Sequence, residues 1–508
     1  MNGLPHQDIY DLLIIGGGIN GAGIARDAAG RGLKVLLVEQ GDLACGTSSA
    51  STKLIHGGLR YLEQYEFRLV REALIEREVL LRNAPHIIRP LRFILPHERG
   101  LRPSWLIRLG LFLYDHLGGR ETLPGSETIH RSDGLLDALQ PRFRLGYAYS
   151  DCWVEDSRLV VLNALDARER GATIKTRTRF LSAARADGIW RAQVSEGDAR
   201  RAVAARVLIN AAGPWLGEVL TQGIGQARAR QLRLVKGSHI VVPRLFPGEH
   251  AFILQNRDRR IVFAIPYEQR FTLIGTTDIP FEGDPAGIAI SPEETAYLCD
   301  VINGYFRKSI TPESVVHSYA GVRPLHDDDS TASASTVTRD YVLDLAGGQG
   351  EAPLLTIYGG KITTYRRLAE HALEKLQPSL ATRARAWTST APLPGGDIPG
   401  ADFARFATEQ KKRYAWLAPE TVHRLARAYG TRIGNVLGDA RGPADLGEQF
   451  AGDFYEREAE YLVQAEWART AEDMLWRRSK LGLHLPSAAR DKLAAWLARH
   501  RIAAEMQS

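Results

Sequence analysis

The chain has 508 residues, 44% of them hydrophobic and 24% charged, with a formal net charge of +6. That length exceeds one ordinary core and predicts two or three domains. Three widely spaced cysteines, Cys45, Cys152 and Cys299, exclude a disulfide framework and a zinc-type cluster, so no metal is expected and a reducing, cytoplasmic setting fits best. Met1 to Asp8 is polar and lacks the apolar core of a signal peptide, and no apolar run is long enough to span a bilayer. The basic balance suits nucleic acid, an anionic membrane or an anionic substrate. No basic stripe interleaved with aromatics is present, which argues against nucleic acid.

In chain order, Ile9 to Ile15 reads as an apolar strand, Ile19 to Arg31 as a small-residue helix and Lys34 to Glu39 as a second strand. Residues 231–242 and 260–276 read as strands separated by short turns, in the manner of an antiparallel sheet. Arg206 to Gly213 and Pro353 to Lys361 return to buried strands ending in small residues, and Thr363 to Leu376 reads as a helix. One α/β domain is therefore assembled from scattered segments. Ala391 to Gly400, rich in Pro and Gly, is a linker by composition. Helical spacing dominates beyond it, as in Tyr455 to Leu483.

The turn after the first strand is Gly16-Gly-Gly18-Ile-Asn-Gly21, a G-x-G-x-x-G at a helix start. Glycines there let the backbone approach a pyrophosphate, whose charge meets the open N–H groups of the helix N-terminus. Glu39 ends the second strand, where a carboxylate can accept hydrogen bonds from the ribose of an adenosine. The fingerprint fits FAD or NAD alike. The charge of Glu39 disfavours the 2′-phosphate of NADP.

Longer runs carry a resemblance. They are Gly16-Gly-Gly-Ile-Asn-Gly-Ala-Gly-Ile-Ala25, the stretch from Gly46 to Leu62, Tyr149-Ser-Asp-Cys-Trp153, Lys236-Gly-Ser-His-Ile-Val-Val-Pro243, Ile274-Gly-Thr-Thr-Asp278, Gly321-Val-Arg-Pro-Leu325, Thr338-Arg-Asp-Tyr341, Gly359-Gly-Lys-Ile-Thr-Thr-Tyr365 and Glu466 to Arg478. In this order, across nearly the whole chain, the sequence resembles the FAD-dependent (aerobic, respiratory) sn-glycerol-3-phosphate dehydrogenases. Thr52 stands where that family usually has Ser, and His326 follows Arg323-Pro-Leu where another residue is common.

The resemblance implies an α/β fold. A Rossmann-like FAD-binding domain of the glucose/amino-acid-oxidase type, built from discontinuous segments of residues 1–390, carries an inserted antiparallel-sheet substrate domain, mainly residues 80–145 and 220–340. Residues 391–508 form a helical C-terminal cap domain. It implies FAD as cofactor and sn-glycerol 3-phosphate as substrate, oxidised to dihydroxyacetone phosphate. A membrane quinone, ubiquinone by analogy with bacterial members, would be the electron acceptor.

Gly16, Gly18, Gly21, Glu39, Thr47, Ser48, Ser49, Lys53, Leu54, His56, Gly57, Ala212, Gly213, Gly360, Lys361 and Thr363 match positions along the FAD. The helix after Gly359-Gly-Lys361 would stabilise negative charge on reduced flavin. Arg60, Tyr61, His239, Arg323, Arg339 and Lys361 match substrate-binding positions. Arginine suits the phosphate because its planar fork makes bidentate charge-assisted bonds. The catalytic residues expected are His239, Arg323 and Lys361. His239 is the first candidate for the base that takes the C2 hydroxyl proton, and His56 the second. If His239 only orients the substrate, Lys361 serves as base or stabilises the alkoxide.

Between Arg82 and Arg108 lie Arg82, Arg89, Arg92, Arg99, Arg102 and Arg108 against one acid, Glu98, and the apolar run Trp105 to Leu113 follows closely. Basic and aromatic residues beside apolar surface suit a segment lying in the headgroup layer of an anionic leaflet. A buried helix with surface arginines fits the pattern equally, and the resemblance favours peripheral attachment to the inner membrane. Alternatives within the same fold are a glycerol-3-phosphate oxidase using O2 and an amine or amino-acid oxidase. The C-terminal region carries no legible chemistry, and a homodimer contact is one role open to it.

Overall fold

The computed structural model describes residues 9–98, 103–226, 232–256, 258, 260–326, 340–348, 350–380 and 382–505. Arg99, Arg102 and Arg339 lie outside the described residues. Strand β1 (Ile9–Ile15), helix α1 (Ile19–Gly30) and strand β2 (Val35–Val38) form the expected β-α-β unit. Residues 12–15 of β1 and all of β2 are buried, because a parallel strand covered on both faces must be apolar throughout. Helix α1 is nearly all buried and rich in Gly and Ala, which lets it lie close to its neighbours. Those neighbours are α4 (Asp156–Glu169, labelled after α2 and α3 below) and the helix Tyr365–Leu376.

Among the described residues this first sheet has eight strands. Val342–Gly348, Glu351–Tyr358, Ala199–Asn210, β1, β2 and Thr173–Lys175 follow one another in space, and the hairpin Thr178–Ala186/Ile189–Glu196 hangs from Ala199–Asn210. β1 is parallel to Ala199–Asn210 (Leu12 opposite Val207) and to β2 (Leu12 opposite Val35). The carboxyl ends of these strands converge on one crevice, where ligands bind in open α/β sheets.

A second sheet of ten described strands is built from residues 54–55, 88–97, 127–130, 145–154 and the stretch 232–326. It therefore also recruits Leu54–Ile55 and Leu145–Val154, outside the ranges expected for the inserted domain. Its pairings are antiparallel except that Ala251–Gln255 runs parallel to Ile88–His97. Two helices flank its near end: α2 (Phe67–Asn83), which packs inward, and α3 (Ser104–Leu117).

Helix α3 is the expected apolar segment. Ile107, Leu111 and Tyr114 face the interior, while Trp105, Leu106, Leu109 and Phe112 are 67%, 41%, 47% and 57% exposed. The expected basic collar is only partly present around it. Arg92 turns inward to Gly125 O and Ser150 Oγ, Arg89 lies over the Trp153 ring, and Arg82 pairs with Glu121. Such long side chains bury their stems and take the nearest acceptor, which linear spacing does not reveal. No helix among the described residues is long and apolar enough to cross a membrane.

Beyond the linker, helices Pro419–Tyr429, Ile433–Leu437, Glu456–Glu466 and Ser487–Glu505 pack with a two-stranded ribbon (Gln449–Ala451, Phe454–Tyr455) around a separate core including Tyr429, Met474 and Trp496, and helix Phe403–Arg413 packs Phe403, Phe406 and Ala407 against Ile398 and Ala426. The helical stretch expected over Tyr455 to Leu483 is broken. Trp467 adopts a left-handed conformation (φ 58°) that ends one helix, and a π-helical turn, Asp473–Arg478, follows. Tertiary ion pairs hold the break open, for Glu466 is fully buried against Arg158.

Candidate functional site

The crevice at the strand ends is lined by Gly16, Gly18, Asn20, Glu39, Gln40, Ala44 to Ser48, Thr178 to Leu181, Ala211 to Trp215, Gly359 and Gly360. Three glycines are required there by geometry. A Cβ on Gly16, already at φ +110°, would lie 2.5 Å from Ala211 O, and one on Gly21 would lie 2.0 Å from Gly16 O. Gly360, at φ +102°, occupies a conformation that L side chains rarely adopt. The first turn of α1 has no side-chain cap of its own, and Ser48 Oγ accepts from Ile19 N at 3.0 Å. Asn20 Nδ2 donates to Gly359 O at 3.1 Å, tying the phosphate turn to the distant Gly359-Gly360 turn.

Glu39 is 8% exposed and bridges two loops, accepting from Gly17 N and from Gly41 N, each at 2.7 Å. Burial raises its pKa, and these two backbone hydrogen bonds oppose the rise. A helix start whose N-cap is a glycine, above a glycine turn and with a carboxylate at the neighbouring strand end, fits the pyrophosphate and ribose of a dinucleotide. The close approach of backbone to backbone at Gly16 and Gly21 leaves the phosphate path clear of side chains.

Of the residues expected at the cofactor, Gly16, Gly18, Glu39, Thr47, Ser48, Ala212, Gly213 and Gly360 line this crevice. Thr47 Oγ1 donates to Val322 O (2.6 Å) and Ser49 Oγ to Gly46 O (3.3 Å), so both hydroxyls brace the loop. Lys53 and Leu54 are committed elsewhere. Lys53 is 1% exposed, with Nζ 2.8 and 2.9 Å from the two oxygens of Asp156, and Leu54 packs in the core of the second sheet. A buried ammonium requires such a partner, and losing it costs about 3–5 kcal/mol. His56 and Thr363 meet through His56 N, which donates to Thr363 Oγ1 (3.2 Å). Gly57 N donates to Tyr114 Oη at 2.8 Å.

The expected substrate residues among those described include two groups, Tyr61 with Lys361 and His239 with Arg323. Tyr61 and Lys361 touch, with Nζ 3.9 Å from the ring centroid. Arg60 precedes Tyr61 in a 3-10 turn, Leu59–Gln64, that starts from left-handed Gly58. On strand Leu232–Pro243, His239 is 2% exposed and stacks on Tyr319 (centroids 4.8 Å apart). Burial, with the charges of Lys53 and Arg323, lowers its pKa to about 3. Arg323 lies on the neighbouring strand, His317–His326, and donates to Thr277 O and to the Asp278 carboxylate. Asp278 was missed as a partner, although it closes one of the quoted motifs. Pro324, next to Arg323, lines the same crevice as Gly359 and Gly360, which joins the His239–Arg323 group to the turn carrying Lys361.

A glycine-turn crevice of this shape fits a dinucleotide such as FAD. The comparisons agree: residues 11–366 match the model of the FAD dependent oxidoreductase family, and the chain belongs to that family. Residues 386–501 match the C-terminal domain of alpha-glycerophosphate oxidase. The chain is 56% identical over 495 residues to the glycerol-3-phosphate dehydrogenase of Pseudomonas aeruginosa, covering 97% of this chain and 96% of that protein. It is 51% identical over 496 residues both to the aerobic glycerol-3-phosphate dehydrogenase of Escherichia coli and to the D-erythritol 1-phosphate dehydrogenase of Brucella abortus, covering 97% of this chain and 98% of each. The crystal structure of the glycerol-3-phosphate dehydrogenase from Bacillus halodurans, complexed with FAD, superposes with a TM-score of 0.77 at 28% identity, covering 97% of this chain and 91% of that one.

Proposed function

We propose that the protein oxidises sn-glycerol 3-phosphate to dihydroxyacetone phosphate and passes the electrons to a membrane quinone. The observation that carries this reading is buried, neutral His239 with Arg323 beside it, on paired strands that Pro324 joins to the crevice turn preceding Lys361. The relatives named above support the substrate. A phosphate needs charge-assisted donors, and guanidinium and ammonium groups provide them. Arg339 is proposed as a further donor from the sequence motif. Bound FAD would supply the hydride acceptor for C2. His239, held neutral, can accept the C2 hydroxyl proton, and Lys361 can stabilise the alkoxide that develops. Fixing the phosphate orients C2, and that positioning supplies much of the rate.

The apolar outer face of α3 supports peripheral attachment to the cytoplasmic face of the inner membrane, which would bring the protein to its quinone. Four exposed apolar side chains on one helical face suit a headgroup layer better than water. One second reading, a longer polyol 1-phosphate as substrate, is favoured by the equal likeness to the Brucella abortus protein.

Anaerobic absorbance of the FAD-loaded protein tests both. Bleaching by sn-glycerol 3-phosphate, recovered rapidly by a ubiquinone analogue and slowly by air, is expected. Bleaching only by D-erythritol 1-phosphate selects the second reading, prompt recovery in air selects an oxidase, and bleaching by neither removes the proposal.

A further inference from the structure

The loop that closes the dinucleotide end of the crevice is held from outside the dinucleotide-binding sheet. Glu39, Gln40, Ala44 and Cys45 line the crevice, and Asp42 between them is 3% exposed. The Asp42 carboxylate accepts from Arg477 Nε at 2.6 Å and from both terminal nitrogens of Arg478 at 2.7 Å. Both arginines belong to the π-helical turn Asp473–Arg478 of the C-terminal unit.

That turn is itself fixed. Asp473 accepts from Arg469 N (2.7 Å) and Thr470 N (2.9 Å), and pairs with Arg177 and Arg477. Its pKa falls to about 2, as these hydrogen bonds and the two arginines outweigh burial. The backbone of Arg177 closes the circuit, since its N–H donates to Gly41 O at 2.8 Å. Gly41 N in turn donates to Glu39 Oε1, and Gly17 N to Glu39 Oε2. A continuous path of ion pairs and hydrogen bonds, completed by the Gly41–Asp42 peptide bond, thus leads from the C-terminal turn to the acid that faces the ribose site and to the phosphate turn. Inside a protein such bonds are strong, and leaving one partner unpaired is costly.

We infer that Asp42, Arg477 and Arg478 are positioning residues for the cofactor: the C-terminal unit sets the affinity for the adenosine half of FAD by fixing the Gln40–Cys45 loop and, through it, the orientation of Glu39. The inference is independent of the substrate reading. It gives the C-terminal unit a role beyond covering the fold. An unrestrained loop would leave Glu39 one acceptor bond short and free to rotate away from the ribose.

The test uses the full chain and measures the FAD dissociation constant from the flavin fluorescence regained on release, alongside thermal unfolding of the apoprotein. Arg477 is the partly exposed member of the set, with 16% of its side chain accessible, so Arg477→Gln is the first variant. It is expected to weaken FAD binding tenfold or more, and Arg477→Lys, which keeps the charge but not the fork, by less. Arg457→Gln, which removes the surface pair with Asp439 in the same unit, is expected to leave FAD affinity unchanged. Because Arg477 acts through Asp42, adding Arg477→Gln to Asp42→Asn is expected to cost little more than Asp42→Asn alone. An unchanged dissociation constant in Arg477→Gln overturns the inference, even with a lower melting temperature, and so does a loss in the double variant equal to both single losses combined. Should Arg477→Gln not fold, Arg477→Lys decides by the same measurement: wild-type affinity overturns the inference.

Discussion

Thr52 Oγ1 lies 3.0 Å from Nε2 of His239, while Nδ1 of the same ring is buried and has no hydrogen-bond partner among the described residues. One nitrogen is thus oriented by a hydroxyl and the other is unclaimed. The ring is 2% exposed, and its pKa of about 3 reflects burial first and the charges of Lys53 and Arg323 second. A neutral ring can accept a proton, which a charged one cannot.

His239 should accordingly stay neutral in the free protein from pH 5 to pH 8. The sign for stability follows. An unfolded histidine titrates near pH ~6.5, so at lower pH the unfolded chain binds a proton that the folded one refuses. Stability is therefore full above that pH and is lost as pH falls toward 3. His239→Gln should remove this contribution, so that between pH 7 and pH 5 the variant loses about 2 kcal/mol less than the wild type in urea unfolding. The same variant should lower kcat by about a hundredfold or more if the ring takes the C2 proton. Parallel pH profiles for the two proteins would sink the first expectation, and a loss under about tenfold in kcat the second.

The outer face of α3 gives a prediction with no bearing on folding. Trp105 and Phe112 are more than half exposed, so replacing both with Glu removes apolar surface without opening a cavity. Each large apolar side chain contributes about 1.5–3 kcal/mol when fully buried, and a headgroup layer covers part of that. Co-sedimentation with anionic vesicles should fall by about tenfold or more, with the melting temperature unchanged within error. Vesicle binding as tight as that of the wild type would remove α3 from the proposed membrane contact.

The first sheet and the cofactor crevice were legible because local rules decide them. An apolar strand, a glycine turn, a small-residue helix and a terminal acid each need their neighbours in sequence, and Gly16, Gly21 and Glu39 stand where that pattern puts them. What escaped depends on partners far along the chain. Lys53 reads only as part of the segment along the FAD, and nothing in the sequence points to Asp156, 103 residues on, as the partner of its charge. Arg477 and Arg478 fall in the stretch expected to be helical, and nothing in the sequence points to Asp42 as their partner. The break at Trp467 is invisible to helical spacing because buried ion pairs hold it. The arginines that precede α3 likewise cluster in sequence, and their long side chains spread them in space.

Tyr114 offers a final test, because its hydroxyl joins α3 to the loop that leads to Arg60 and Tyr61. It accepts from Gly57 N at 2.8 Å and lies 2.8 Å from both oxygens of Asp151, which Arg77 also holds. Burial drives the Tyr114 pKa well above 10, so the hydroxyl keeps its proton and donates it to Asp151. Tyr114→Phe would leave Gly57 N with only a 3.4 Å approach to Asp151, and would leave that buried carboxylate one donor short. The expected cost is about 1–3 kcal/mol of stability. The loop from Gly57 to Tyr61 should then be less well placed, raising KM for sn-glycerol 3-phosphate severalfold with a smaller change in kcat, since Tyr61 and Lys361 meet at its end. A variant that loses the stability but keeps KM would show that this hydroxyl supports the fold alone and leaves the substrate loop untouched.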